Sequence, residues 1–320
     1  MSILKFKPLL RPTIWGGNRI ALLKGMSGID GNIGESWELS GVPGHQSVVS
    51  NGAYAGLALN DVLAIMRGDL LGHDNYAICR GVFPILIKLI DAKENLSVQV
   101  HPSNAVAERQ GKGYAKTEMW YAMKSAPNAK LISGLRRAIT PEEYAAMAAN
   151  SAILDVVAEH DVHEGDCFFI PGGRIHSAGA GCFLVEIQQT SETTYRIYDY
   201  GRRDSNGKQR ELHIAEAAEC IDYRVQDDYR THYHSAKNVA VPLVDCDYFH
   251  TALYDIDEPM LLDYSDLDSF VALIGVGGEG TLIDDDGSET TLRTGETVLI
   301  PACNKCIRAE GAMRFIEVFA

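Results

Sequence analysis

Nowhere in the 320 residues do 18 or more apolar residues follow one another, so no segment reads as a membrane-spanning helix. A basic excess is also missing. Lys and Arg number 29 against 43 Asp and Glu, a formal net charge of −14, which excludes a nucleic acid or an anionic membrane held by a general positive field. A local basic pocket for a phosphate is still compatible with that balance. The opening stretch MSILKFKPLLRPTIWGG has neither the unbroken apolar core nor the small-residue cleavage site of a signal peptide, and a cytoplasmic protein is expected. Cysteine is sparse: seven residues, at 79, 167, 182, 220, 246, 303 and 306, form an odd and scattered set that argues against a disulfide framework. Reduced thiols are expected. No Ser/Gly linker or low-complexity tract marks a domain boundary.

What is present is a chain 46% apolar with 30 glycines, enough to bury a sizeable core. The glycines recur between short runs rich in Val, Ile, Tyr and Phe: ILIKLI (85–90), LSVQVH (96–101), CFFIP (167–171), CFLVEIQQ (182–189), FVALIGV (270–276) and ETVLIP (296–301). Such punctuation predicts β-sandwich or barrel structure rather than alternating βα units. Helices are few and peripheral. The clearest is TPEEYAAMAAN, with Thr140 as N-cap, Pro141 in the first helical position and Glu143 closing a capping box. Further helical segments are read at 60–67, at 103–110 before Gly111, and at 213–221. Segments 164–187 and 294–318 share a rhythm of Gly, acid, apolar run, Pro, turn and second apolar run. This weak internal repeat predicts two β-barrel modules of one ancestry, with a soft boundary in the polar stretch 222–245.

Gln99 and His101 stand two apart on a predicted strand, so both project from one face, about 7 Å apart along it. Val98 and Val100 face the other way. An amide and an imidazole on one face of a strand whose other face is apolar is a pattern that a simple core strand avoids. Glu118 opens the aromatic run EMWYAM, and His176 follows the IPGGR turn. Two His and a Glu suit a catalytic divalent metal such as zinc, with the Gln99 oxygen as a fourth donor and a position left for water or substrate. Composition and spacing alone do not assemble these distant residues into one site.

The blocks FPILIKLIDAKENLSVQVHPSN, GYAKTEMWYAM and HEGDCFFIPGGRIHSAGAGCFLVEIQQTSETTYRIYDYGR, preceded by IWGG (14–17) and IGESWELS (33–40), resemble in order and spacing the signature blocks of type I mannose-6-phosphate isomerases of the cupin superfamily. The resemblance spans residues 10–210 and fits a short bacterial form. It implies a mainly β fold of two cupin jelly-roll barrels with a few peripheral helices: a catalytic module over 1–240 and a degenerate module over 241–320. It implies metal ligands at Gln99, His101, Glu118 and His176, holding one divalent ion per chain, zinc by expectation. Lys116 and Arg196 match an active-site lysine and the arginine lining the sugar-phosphate pocket; Lys88 and Ser97 match further pocket positions, and Glu186 an acid beside the metal. Glu192 stands where relatives usually carry Asp, and is a third catalytic candidate. The implied reaction interconverts mannose 6-phosphate and fructose 6-phosphate through a cis-enediol(ate), so the partner is a phosphorylated hexose, and the chain is expected as a monomer or small homo-oligomer. The rival reading is a non-catalytic sugar-phosphate-binding regulator.

Other motifs are read as structural. Cys303-Asn-Lys-Cys306 has no second pair and is expected as a turn with structural thiols. Asp284-Asp285-Asp286-Gly287 lacks the spaced ligands of a calcium loop and is expected as a solvated hairpin turn. His232 and His234 are expected on the surface. GVGGEG (275–280) lacks the strand-to-helix setting of a nucleotide fingerprint and is read as a connection between strands of the second barrel.

Overall fold

Alternating and fully apolar runs become strands throughout the computed structural model, which describes residues 2–26, 32–111, 113–204 and 206–320. The protein is mainly β, with few helices. No helix among the described residues is long and apolar enough to cross a membrane. Chain contacts divide it into two units, one made of 1–10, 37–88 and 232–320, the other of 11–36 and 89–231. The sequence suggested contiguous modules meeting near 240. The chain does change unit close by, after Thr231, but each unit also draws on the N-terminal third, because 1–10 and 37–88 contribute strands and helices to the unit of the C-terminal segment.

In that first unit the strands run in the order Val241–Cys246, Phe249–Ile256, Cys306–Phe319, Val271–Ile283, Thr297–Ile300, Leu4–Lys7 and Val48–Val49. Leu273, Val298, Ile300, Tyr254, Tyr264 and Phe315 fill its core. GVGGEG is no connection: it lies inside Val271–Ile283, with a bulge between Gly275 and Gly277. Glycine is required there because a Cβ on Gly275 would stand 2.2 Å from the Arg293 carbonyl oxygen. The Asp284 carboxylate accepts from the amides of Asp286 and Ser288, which makes 284–287 the hairpin turn the sequence indicated. Lys88 belongs to this unit and packs its ammonium 5.2 Å from the centre of the Trp37 ring.

The second unit carries the candidate site. One sheet has the order Tyr195–Tyr198, Val98–Val100, His176–Ala178, Lys130–Leu135 and Val157–Asp161. Facing it, Arg230–Thr231, Cys167–Ile170, Glu118–Ser125 and Cys182–Gln189 run side by side. Trp120, Phe168, Ile170 and Leu184 from the latter meet Leu131 and Ala178 from the former in one apolar cluster. The outer face of the first sheet, Val98, Val100, Ile132 and Ile197, is covered by the helices Pro141–Ala149 and Ile214–Cys220. Thr140 caps the first of these in the capping box read from sequence.

The glycines of IWGG and IGESW have a steric reason. A Cβ on Gly16 would fall 2.3 Å from the Gly34 nitrogen, and one on Gly17 only 2.4 Å from an Asp91 oxygen. That approach delivers Arg19 to the buried Asp91, whose Oδ1 it reaches at 2.6 Å through Nε, while its other nitrogens donate to the carbonyls of Gly181 and Cys182. Arg19→Ala removes the guanidinium from a buried carboxylate that keeps the amide of residue 19 as a donor, and should lower the free energy of unfolding by about 3 kcal/mol. Urea denaturation measures it, and a loss below about 1 kcal/mol would show the strap to be dispensable.

Candidate metal centre

Strand register places the polar residues in a row. Arg196 pairs with Gln99, Gln99 with His176, and His176 with Ser133, so four side chains from adjacent strands share the interior face. His101 follows at the end of its strand on the same face as Gln99, and Glu118 comes from the facing sheet. At exposures of 1% for His101 and 0% for Glu118 and His176, all three side chains are buried.

The backbone sets the tautomers. His101 Nδ1 donates to the Thr193 carbonyl at 2.8 Å, and His176 Nδ1 donates to that of Arg174 at 2.8 Å. A carbonyl only accepts, so each ring carries a proton on Nδ1, and a ring in its neutral form turns a bare Nε2 inward. Burial pushes the His176 imidazole down to about 4, which keeps it neutral. The two Nε2 atoms stand 3.1 Å apart, and the Glu118 oxygens lie 3.3 Å from that of His176 and 3.5 Å from that of His101. Two lone pairs and a carboxylate turned toward one point repel each other unless a cation joins them. All three donor atoms lie within 4.8 Å of one another, and the His₂Glu set fits a divalent metal.

Around this triad, Lys116 is buried with its ammonium 2.8 Å from Glu118 and 3.7 Å from Glu186. The second Glu186 oxygen accepts from the Trp120 indole at 2.8 Å. One ammonium against two carboxylates leaves a buried net negative charge, which again favours a cation. Gln99 reaches His176 Nε2 at 3.2 Å with its amide nitrogen, and the Ser97 hydroxyl donates to its oxygen at 3.4 Å. To serve as a ligand the Gln99 amide must turn its oxygen inward. Glu192 is placed elsewhere: 41% exposed, it accepts from Arg11 at 2.9 Å. Its loop still matters, since Thr193 orients His101.

Arg196 is half-buried, and burial with the nearby Arg210 lowers its pKa. Its Nη1 donates to the Glu211 carbonyl at 2.8 Å, while Nε has no hydrogen-bond partner among the described residues. It lines a cavity of about 500 Å³ together with Asp204, Lys208, Gln209, Arg210 and Glu211. Lys208 and Arg210 escaped the sequence reading, although the charge-dense segment GRRDSNGKQREL was a visible signal. Trp120 and the carbonyls of Thr193 and Arg174 escaped it as well.

His232 and His234 are exposed, and Cys303 and Cys306 flank the turn between Thr297–Ile300 and Cys306–Phe319. Among the described residues the triad is the one group of three or more His, Cys, Asp or Glu with metal-binding geometry. Replacing Cys303 and Cys306 together with Ser should therefore leave metal content unchanged and activity within about twofold. Loss of stoichiometric metal in elemental analysis would contradict this.

Residues 3–147 match the family described as phosphomannose isomerase type I, catalytic domain. The chain is 32% identical over 302 residues to the mannose-6-phosphate isomerase ManA of Bacillus subtilis, covering 92% of each protein. It is 38% identical over 208 residues to the mannose-6-phosphate isomerase of Streptococcus mutans, covering 65% of this chain and 64% of that one. The crystal structure of mannose 6-phosphate isomerase from Bacillus subtilis superposes with a TM-score of 0.89 at 30% identity over 99% of both chains. With a relative of that identity over nearly its whole length, the chain belongs to the family of type I phosphomannose isomerases.

Proposed function

We propose that the protein is an aldose-ketose isomerase interconverting D-mannose 6-phosphate and D-fructose 6-phosphate through a cis-enediol(ate). The observation that carries the reading is the buried convergence of two imidazole Nε2 atoms and the Glu118 carboxylate beside Lys116 and Glu186. His101, Glu118 and His176, with Gln99 as fourth donor, would hold one metal per chain, and zinc suits this set best. When bound, the metal supplies positive charge that polarises the adjacent oxygens at C1 and C2 of the open sugar chain.

The rest is the work of this chain's residues. The Glu186 carboxylate takes the proton from C2 and returns it at C1, with Trp120 fixing one of its oxygens and Lys116 standing beside the other. The Lys116 ammonium offsets charge developing on the enediolate, and Arg196 adds a guanidinium from the neighbouring strand. Lys208, in the cavity that Arg196 lines, gives the phosphate a cationic wall. Lys88 and Ser97 are assigned to substrate binding on family position. Arg11 and Glu192 hold the loop that orients His101. No catalytic residue is assigned to 241–320. The reading places the chain in the cytoplasm, where hexose phosphates are retained by their charge, as a monomer or small homo-oligomer.

Incubation with fructose 6-phosphate in deuterated water tests this. Mannose 6-phosphate is expected, and only from metal-replete protein, with deuterium at C2 in the fraction of turnovers in which the proton on Glu186 exchanges with solvent before its return. Binding of the sugar phosphate without turnover would instead support a regulator.

A further inference from the structure

The interior of the second unit holds a polar atom that the metal reading does not use. Gln188 is fully buried and pairs directly with Glu118 across neighbouring strands, so its side chain stands on the interior face beside that carboxylate. Its amide nitrogen donates to the carbonyls of Gln189 at 2.7 Å and Ser191 at 2.8 Å. Because both partners only accept, the amide cannot be turned round, and the free end is its oxygen. Gln188 Oε1 is buried and has no hydrogen-bond donor among the described residues.

Tying the loop 189–191 explains the nitrogen and leaves the oxygen unexplained. A buried acceptor without a donor is unfavourable, and an apolar side chain of the same volume would avoid that cost. A second unmet group lies across the interior: Ser133, fully buried and in register with His176, has a hydroxyl with no partner among the described residues. The strands bearing Glu118 and His176 are thus each flanked by a polar atom awaiting a partner. A ligand that reaches Glu118 therefore comes to the face on which Gln188 stands. An open-chain hexose carries a hydroxyl on almost every carbon, and each can donate.

We propose that Gln188 is a substrate-binding residue whose Oε1 accepts a hydrogen bond from one hydroxyl of the bound phosphohexose, and so helps set which sugars are accepted. The inference rests on the isomerase reading. Gln188→Met keeps the volume and removes the amide. In zinc-loaded protein it should retain one metal per chain and raise KM for fructose 6-phosphate about tenfold or more, the size of one lost hydrogen bond to a buried group. Competitive inhibition by the 3-, 4- and 5-deoxy analogues of fructose 6-phosphate separates direct contact from loop support. One analogue should bind more weakly than fructose 6-phosphate to the unsubstituted protein, and that deficit should vanish in Gln188→Met. A uniform loss across all three, or a fall in metal content, would reduce Gln188 to a loop tie and overturn the proposal. So would an unchanged KM, the result expected if a trapped water meets Oε1. If Gln188→Met does not fold, Gln188→Asn withdraws the oxygen by one methylene and should show the same vanishing deficit. Unsubstituted protein that binds the analogues with this pattern but does not isomerise would overturn the isomerase reading alone. Failure to bind any of them would overturn both.

Discussion

His101→Ala is expected to strip the metal and lower turnover of fructose 6-phosphate by three or more orders of magnitude while the chain stays folded. The ring contributes one of three inward donors, and with it goes the lone pair that Thr193 holds in place. Loss of positive charge at the enediol(ate) oxygens removes several kcal/mol of stabilisation from the transition state. The fold should survive because the apolar clusters on both faces of the site sheet, built around Val98 and Val100 on one side and Leu131 and Ala178 on the other, do not include His101. Its removal costs the Thr193 carbonyl a donor, on the order of 1–3 kcal/mol. Elemental analysis, circular dichroism and turnover on one preparation check all three parts. Full metal occupancy in the folded variant would refute the ligand assignment.

Arg196→Ala should lower kcat by about 10²–10³, the size expected for losing one preorganised donor to developing negative charge. Arg196 pairs with Gln99 and so stands two strands from His176, with Nε buried and unmet and Nη1 anchored on Glu211. A guanidinium held that way is ready for an oxygen that becomes charged only during reaction. Lys208 lines the same cavity and would offer the phosphate an alternative partner. An arginine gripping only the phosphate would act equally in ground and transition states, and its loss would raise KM with kcat unchanged. Saturation kinetics with mannose 6-phosphate distinguish the two, and a kcat near that of the unsubstituted protein would confine Arg196 to binding.

Strand positions were legible because alternation and apolar runs survive into structure: CFLVEIQQ is the strand Cys182–Gln189. LSVQVH shortens to Val98–Val100, since Pro102 has no N–H with which to continue a ladder. The short helices Gly68–Leu71 and His73–Ile78 left no trace, four and six residues being too few for helical periodicity to show. His101, Glu118 and His176, which the fold brings together, were legible as residue types and by family position. The orientation of the two imidazole rings was not, because backbone carbonyls such as those of Thr193 and Arg174 have no sequence signature. Nor could spacing show that Glu192 turns to Arg11, a partner far away in the chain. The discontinuous units were hidden for the same reason, as the strand Leu4–Lys7 pairs with Thr297–Ile300 near the other end.

Isomerisation is expected to require one metal held by His101, Glu118 and His176. Zinc titrated back into chelator-stripped protein, with mannose 6-phosphate formation followed at each addition, tests it most directly. Activity should rise from the baseline in proportion to added zinc and break sharply at one equivalent per chain. Undiminished isomerisation in the stripped protein, or a break at a different stoichiometry, would contradict it.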